Sequence, residues 1–323
     1  TLPVPDQGVL YEDETKKVIR DCCGHVVEWP ISSGMAQGAH RSIEYGLTNR
    51  DQWNLLKDHF RSDEALRFPS HWDDSRPPLY LYWPTRGPTP YQHINWIPWE
   101  EQVKRWKNRS FRLELEGPSM IGMLKEVMGF ENFCYLLYDD PDMLEEIIEA
   151  RTALAEVVIE KMLEEVEFDV LHFWEDLAFN NGPMIAPEVF ERLTLSRYKR
   201  LTDLYYSRGG KIVSVDSDGD IWKLIPVWLK AGVNHIWPME YKAGMDVVKV
   251  RKEYGDAFSM RGGINKYALM EGKEAIDREL DRIAPVVQGR GYIPMLDHHI
   301  PEGIRFENFC YYIEQKKKLL GCP

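Results

Sequence analysis

Residues 211–246, KIVSVDSDGDIWKLIPVWLKAGVNHIWPMEYKAGMD, decide the fold class. Lys211 to Val215 is a short run rich in β-branched residues behind Gly209 and Gly210, which predicts a buried parallel strand. Asp216, Ser217, Asp218 and Gly219 break the run. Ile221, Leu224, Ile225, Trp228 and Leu229 then recur at helical spacing until Gly232, and Asn234 to Trp237 begins a second strand that stops at Pro238, Met239 and Glu240. This is one β-α-β unit whose two strands both end in carboxylates. In parallel α/β folds ligands bind at the carboxyl ends of strands, so these acids are the first candidates for chemistry.

The same alternation extends in both directions. Upstream, the spacing predicts a strand over 111–115, helices over 119–129, 131–138 and 141–166, a strand over 169–174 closing in Glu175 and Asp176, and a helix over 188–207. Downstream it predicts a helix over 244–254, a strand over 257–261, a helix over 273–287, a strand over 291–296 followed by Asp297, His298 and His299, and a last helix over 305–319. Strands alternating with helices across a chain of 323 residues favour an α/β fold of the (β/α)8 TIM-type barrel kind, with an open doubly wound sheet as the alternative.

Residues 1–110 read as an irregular N-terminal extension packed on a barrel of residues 111–323, within one domain overall. Val18–Arg20 and His25–Trp29 suggest a hairpin flap, and Thr48 to Phe60 a helix with Thr48 as N-cap. The Pro, Trp and Tyr density from Arg67 to Pro98 predicts an extended segment, with an eighth strand sought near 79–83. The chain opens TLPVPDQG, without a signal peptide pattern, and a first strand is expected to precede Thr1 in a longer gene product.

Composition excludes several classes. No apolar run reaches the roughly 20 residues that cross a bilayer, and a formal charge of −12 argues against nucleic acid or an anionic membrane surface. Five cysteines without C-x-x-C spacing suggest a reducing, cytoplasmic setting. Neither G-x-G-x-x-G nor G-x-x-x-x-G-K-[ST] follows a strand, which removes the usual nucleotide sites.

Read in register, the strand ends deliver Glu175, Asp216, Asp218, Glu240, His298 and His299 to one mouth. Asp216 and Asp218, one residue apart in extended chain, project to the same side, and two such carboxylates repel unless a proton or cation lies between them. No Lys or Arg stands between Lys211 and Lys223 to compensate them. A divalent metal held by Asp216, Asp218, Glu240 and His298 satisfies the pattern; the alternative is Asp218 as a helix cap and Asp216 in a backbone or Arg contact. Asp216, Glu240 and His298 are the catalytic candidates. Trp174, Trp237, Glu175 and His299 are the candidate substrate contacts, the indoles as walls for a flat or methyl-bearing molecule. Arg261 and Arg290 are the nearest cations on the later strands, for a substrate carboxylate or for an acid of the protein.

The runs GPSMIGMLKEVMGFENFCYLLYDDPDMLEEII, WEDLAFNNGPMIAPEVFERL, VDSDGDIWKLIPVWLKAGVNHIWPMEYKAGMD, RGGINK and GYIPMLDHHIPEGIRFEN, in that order over about 117–319, resemble the uroporphyrinogen decarboxylase superfamily. The resemblance implies a (β/α)8 barrel and either of two chemistries, decarboxylation or zinc-assisted methyl transfer to a corrinoid. The Arg-rich R-Q-A-G-R-like motif of the decarboxylases is not found in this sequence. Asp216-Ser217-Asp218-Gly219 occupies the place of the methyltransferases' His-x-Cys-Gly, and His298 that of their distant Cys, which replaces every thiolate by oxygen or imidazole and makes a harder site, similar to O-demethylating relatives.

The leading expectation is therefore a metal-dependent methyltransferase component, with zinc as the metal, moving a methyl group from a small, methoxylated aromatic type of substrate. Asp297-x-His299 begins like the corrinoid motif D-x-H-x-x-G, but Glu302 stands where Gly is required, so the corrinoid is expected on a separate partner protein. A homodimer is a further expected assembly. The alternatives are a cofactor-free decarboxylase and a non-catalytic binding barrel.

Overall fold

The structure, a computed structural model, describes residues 8–20, 24–31, 41–60 and 99–322, and the chain divides into two compact units, residues 1–168 and 169–323. The division falls at Phe168/Asp169.

In the first unit, β1 (Gly8–Glu12), β2 (Lys16–Arg20), β3 (Val26–Pro30) and β4 (Arg41–Glu44) form an antiparallel sheet in sequence order. The expected hairpin is its middle pair, with Ile19 opposite Val27. Val26 and Val27 are buried, whereas all of β1 is exposed.

Helix α1 (Arg50–Leu56) is capped by Asn49, not Thr48. The Asn49 side chain accepts from the Gln52 N–H at 3.0 Å, while Gln52 Oε1 takes the Thr48 N–H at 2.6 Å. The cap falls one residue later than expected, and the Gln52 side chain three positions beyond Asn49 reaches back past it to the N–H of Thr48. The aromatic-rich segment and the strand sought near 79–83 lie outside the described residues. After them come α2 (Trp99–Lys107), β5 (Glu114–Glu116), α3 (Gly122–Met128), α4 (Phe130–Asp139) and α5 (Pro141–Glu165). The start of α5 is fixed as the sequence predicts: Pro141 sits in the first turn, and Asp140 accepts from the Met143 N–H at 3.1 Å. Arg50 ties α1 to this cap through Asp140 and Glu146.

The second unit holds β6 (Val170–Trp174), the short antiparallel pair β7 (Ala178–Phe179) and β8 (Gly182–Pro183), α6 (Pro187–Ser207), β9 (Val213–Asp216), α7 (Ile225–Lys230) and β10 (His235–Trp237). It continues with α8 (Val247–Tyr254), β11 (Ser259–Ile264), α9 (Ala268–Glu271), α10 (Lys273–Val287), β12 (Tyr292–Leu296) and α11 (Phe306–Leu319). Strands β6, β9, β10, β11 and β12 lie side by side in that order, all parallel. This is the parallel α/β class expected from the sequence; closure into an eight-stranded barrel stays an expectation carried by the resemblance.

Register separates two faces. Phe173, Val215, Ile236 and Met260 are buried, and Phe173 meets Tyr198 of α6 edge-on at 5.0 Å, so this face carries the helices. Phe190 of α6 packs on Trp228 of α7 in the same layer. Full burial of such side chains stabilises by about 1.5–3 kcal/mol each. The opposite face is polar: His172, Ser214 and His235 align across β6, β9 and β10, followed one row nearer the strand ends by Trp174, Asp216 and Trp237. Helix α7 is shorter than the periodicity suggests, starting only at Ile225, with Pro226 in its first turn. Residues 217–220 do not join it because their amides go elsewhere.

Candidate active site

The loop after β9 is fastened to both neighbouring strand ends. The Ser217 N–H donates to Trp237 O at 2.9 Å, Asp218 N–H to Asp176 Oδ1 at 3.2 Å, Gly219 N–H to Glu240 Oε2 at 2.9 Å, and Asp220 N–H to Phe179 O at 2.8 Å. From the other side, Glu175 N–H reaches Asp216 O at 2.8 Å and Leu177 N–H reaches Ser217 Oγ at 3.1 Å. Gly219 is the pivot. Its φ of +88° is a conformation L residues avoid, and a Cβ there would stand 2.4 Å from Ala178 O.

This fastening brings together three of the four expected metal ligands. Potential ligand atoms of Asp218, Glu240 and His298 lie within 4.8 Å of one another, and those of Asp176, Asp216 and Asp218 form a second such group. Asp218 belongs to both. Asp216 meets the cluster through Asp218 and Asp176, and the same-side projection expected for Asp216 and Asp218 is what the structure has. His298 Nε2 is 3.1 Å from Asp218 Oδ2, and its ring stands edge-on to His299, which is exposed. Asp218 does not cap α7, whose N-terminus has no side-chain cap. Its carboxyl is pushed up to about 6, first by burial, then by the charges of Asp176 and Glu240, with His298 pulling it down.

A cation of the protein stands beside part of this cluster: Lys266, from the loop after β11, places Nζ 3.6 Å from Glu240 Oε1 and 3.9 Å from Asp297 Oδ1. The sequence hides it, since Lys266 is distant from 211–223 along the chain and adjacent only once β10, β11 and β12 are paired. Asp297 itself is buried and accepts the backbone N–H groups of Tyr241 and Lys266, so it fixes the loops behind Glu240. Burial pushes its carboxyl up while Lys266 pulls it back.

Glu175, expected to touch substrate, is fully buried and receives the hydroxyl of Tyr198. It lies on the helix-bearing face with Phe173. The acid at this strand end that reaches the cluster is Asp176, whose φ of +46° turns it there. Period-two alternation from His172 through Trp174 to Asp176 was the available signal. Trp174 is in register with Asp216, as is Trp237 from the other side. The Trp237 ring is covered by the Arg261 guanidinium, 3.9 Å from its centroid, and stacked with His172 at 5.5 Å, while its N–H donates to Ser214 Oγ. Trp237 is thus a platform for Arg261. Arg290, the other cation considered, uses its carbonyl to receive Arg251 at the far end of β12.

Residues 119–319 match the family profile described as Uroporphyrinogen decarboxylase (URO-D). No curated protein sequence matches the chain. Among solved structures, a methyltransferase from Methanosarcina mazei is similar at 14% identity and a TM-score of 0.49, over 65% of this chain. The chain spans 60% of the length of that protein. Among the described residues no helix is long and apolar enough to cross a membrane.

Proposed function

The chain belongs to the uroporphyrinogen decarboxylase (URO-D) family, and from that premise we propose that it is a metal-dependent methyltransferase component, taking a methyl group from a small methoxylated compound and passing it to a separate corrinoid protein. The observation that carries the proposal is the convergence of Asp218, Glu240 and His298 at adjacent strand ends. In this reading the chain folds as the (β/α)8 barrel of its family and works with zinc.

The residues fit a divalent cation by their chemistry. Two carboxylates and one imidazole are a borderline donor set suited to zinc and similar ions, and Asp218, desolvated between Asp176 and Glu240, is the group whose repulsion an added cation relieves. When bound, such an ion polarises the oxygen that carries the methyl group and lowers the cost of the departing alkoxide or phenolate. The protein's own groups do the rest. Gly219 N–H holds one oxygen of Glu240 and the Asp176 carboxylate pins the Asp218 backbone, so these donors are oriented before any ligand arrives, while Lys266 occupies the other Glu240 oxygen in competition with an incoming cation. Asp216, in the same row as Trp174 and Trp237, stands beside the substrate space, and His299 lies at its exposed rim.

A second reading is favoured by one observation. A carboxyl that keeps its proton up to about pH 6, as Asp218 does without a metal, suits a cofactor-free decarboxylation in which an acid protonates or steadies the ring. Metal content separates the two. Protein reconstituted with zinc, desalted and assayed by mass spectrometry is expected to retain one equivalent, lost in Asp218→Asn and His298→Ala while the far-UV spectrum is kept. A wild-type protein that retains no metal sinks the methyl-transfer reading.

A further inference from the structure

We propose that Arg261 and His172 form a carboxylate-recognition subsite on the polar face of the sheet, one row below the acidic cluster, and that the substrate is a flat monocarboxylate. The proposal rests on the methyl-transfer reading only for the substrate's far end. Arg261 is half-buried on β11, over the Trp237 ring, and its Nε contacts Met295 Sδ at 3.0 Å. Among the described residues neither terminal nitrogen of its guanidinium has a hydrogen-bond acceptor, and no carboxylate pairs with it. Half-buried and laid flat on the indole, this guanidinium keeps its terminal N–H groups available to an incoming acceptor.

A second, independent group points the same way. His172 is 6% exposed, and its Nδ1 is buried without a hydrogen-bond partner among the described residues. It stacks on the same Trp237 ring as Arg261. Several neighbours on this face have partners of their own: His235 Nδ1 with Ser259 Oγ, Ser259 Oγ with Asn234 O, and Trp237 with Ser214. The Arg261 fork and His172 Nδ1, in the tautomer that carries its proton there, both offer N–H groups to an oxyanion. The planar fork of a guanidinium fits a carboxylate with two parallel hydrogen bonds.

Charge sets the number of anionic groups. Asp216, Asp218 and Glu240 surround the same space, so a single negative charge is accepted at Arg261 and further ones are repelled. The indole sets the shape. Asp218 lies in the loop just beyond the row of Trp174, Asp216 and Trp237, and the indole that carries Arg261 offers a flat wall along which an aromatic ring fits. A carboxylate on Arg261 then leaves the opposite substituent facing Asp218, Glu240 and His298.

The test uses 4-methoxybenzoate and its neutral counterpart 4-methoxybenzamide, titrated calorimetrically into the full chain in EDTA, with no metal and no corrinoid. The acid is expected to bind at least about tenfold more tightly than the amide, the scale of one charge-assisted pair. Arg261→Met should erase that preference, Arg261→Lys should restore part of it, and His172→Phe, which keeps the stack on Trp237, should weaken the acid several-fold and leave the amide unchanged. Equal binding of acid and amide to the wild-type protein, or absence of acid binding, overturns the proposal, as does an Arg261→Met variant with the wild-type ratio. The wild-type acid-to-amide ratio stands even if a variant fails to fold. Zinc retention without acid preference overturns the subsite alone; acid preference without zinc retention overturns the methyl-transfer reading alone.

Discussion

Replacing Asp218 by Asn is expected to stabilise the metal-free protein at alkaline pH and to destabilise it, relative to wild type, once zinc is present. The Asp218 carboxyl rises from 3.8 to about 6 on folding, chiefly through burial and then through Asp176 and Glu240. A group raised in this way contributes stability that is complete below pH 3.8 and disappears as the pH climbs through about 6. At about 1.4 kcal/mol per pH unit the full effect is ~3 kcal/mol, and because the side chain is 34% exposed, solvent screening cuts this to about 1–2 kcal/mol. Asn carries no charge to bury, so in EDTA the variant should melt about 2–4 °C above wild type at pH 8, with the difference shrinking as the pH falls toward 4. Zinc at a thousand times its dissociation constant should add ~4 kcal/mol to wild type and little to the variant, reversing the order. Differential scanning calorimetry between pH 4 and 8, with and without zinc, reads both halves. An Asn variant that is no more stable than wild type at pH 8 in EDTA would refute the electrostatic reasoning, and equal stabilisation of both proteins by zinc would refute the ligand assignment.

Two further substitutions probe the frame. Gly219→Ala should cost at least about 2–3 kcal/mol in urea unfolding, because it combines a positive φ with a Cβ driven into the Ala178 carbonyl, and an unchanged midpoint would show that the loop relaxes freely. Lys266→Met should cost about 1–2 kcal/mol by leaving Glu240 and the buried Asp297 less compensated, yet should tighten zinc binding by removing a competing cation; weaker zinc binding would mean that Lys266 supports the site instead of opposing it.

What the sequence makes legible follows from the range of the forces involved. The strands over β6, β9, β10 and β12 and the helices α5, α6, α10 and α11 are near the expected bounds, because apolar period and local punctuation such as Asp140-Pro141 decide them. The cluster of Asp218, Glu240 and His298 is legible for the same reason: each follows a strand end, and parallel register carries strand ends to one side. Glu175 and Asp176 show the limit. Both follow the same strand, and alternation along it puts Asp176 on the face of His172 and Trp174 and Glu175 on the face of Phe173, a distinction lost when the two acids are read together as one strand end. Lys266 shows another limit, since its charge acts across paired strands on acids remote in sequence. The Asn49 cap differs from the expected Thr48 by one position, a choice between adjacent good cap residues that the reach of Gln52 settles.

Connecting segments are ordinarily where a fold changes most freely over evolutionary time, lengthening or shortening while the strands stay put. The segment from Ser217 to Asp220 has given up that freedom, because each of its four amides is committed to a different acceptor on a neighbouring strand end or the β7 turn. An inserted residue would detach both neighbouring strand ends and the β7 turn at once, so descendants of this site can diversify by exchanging side chains along a loop of fixed length, and not by growing a longer one.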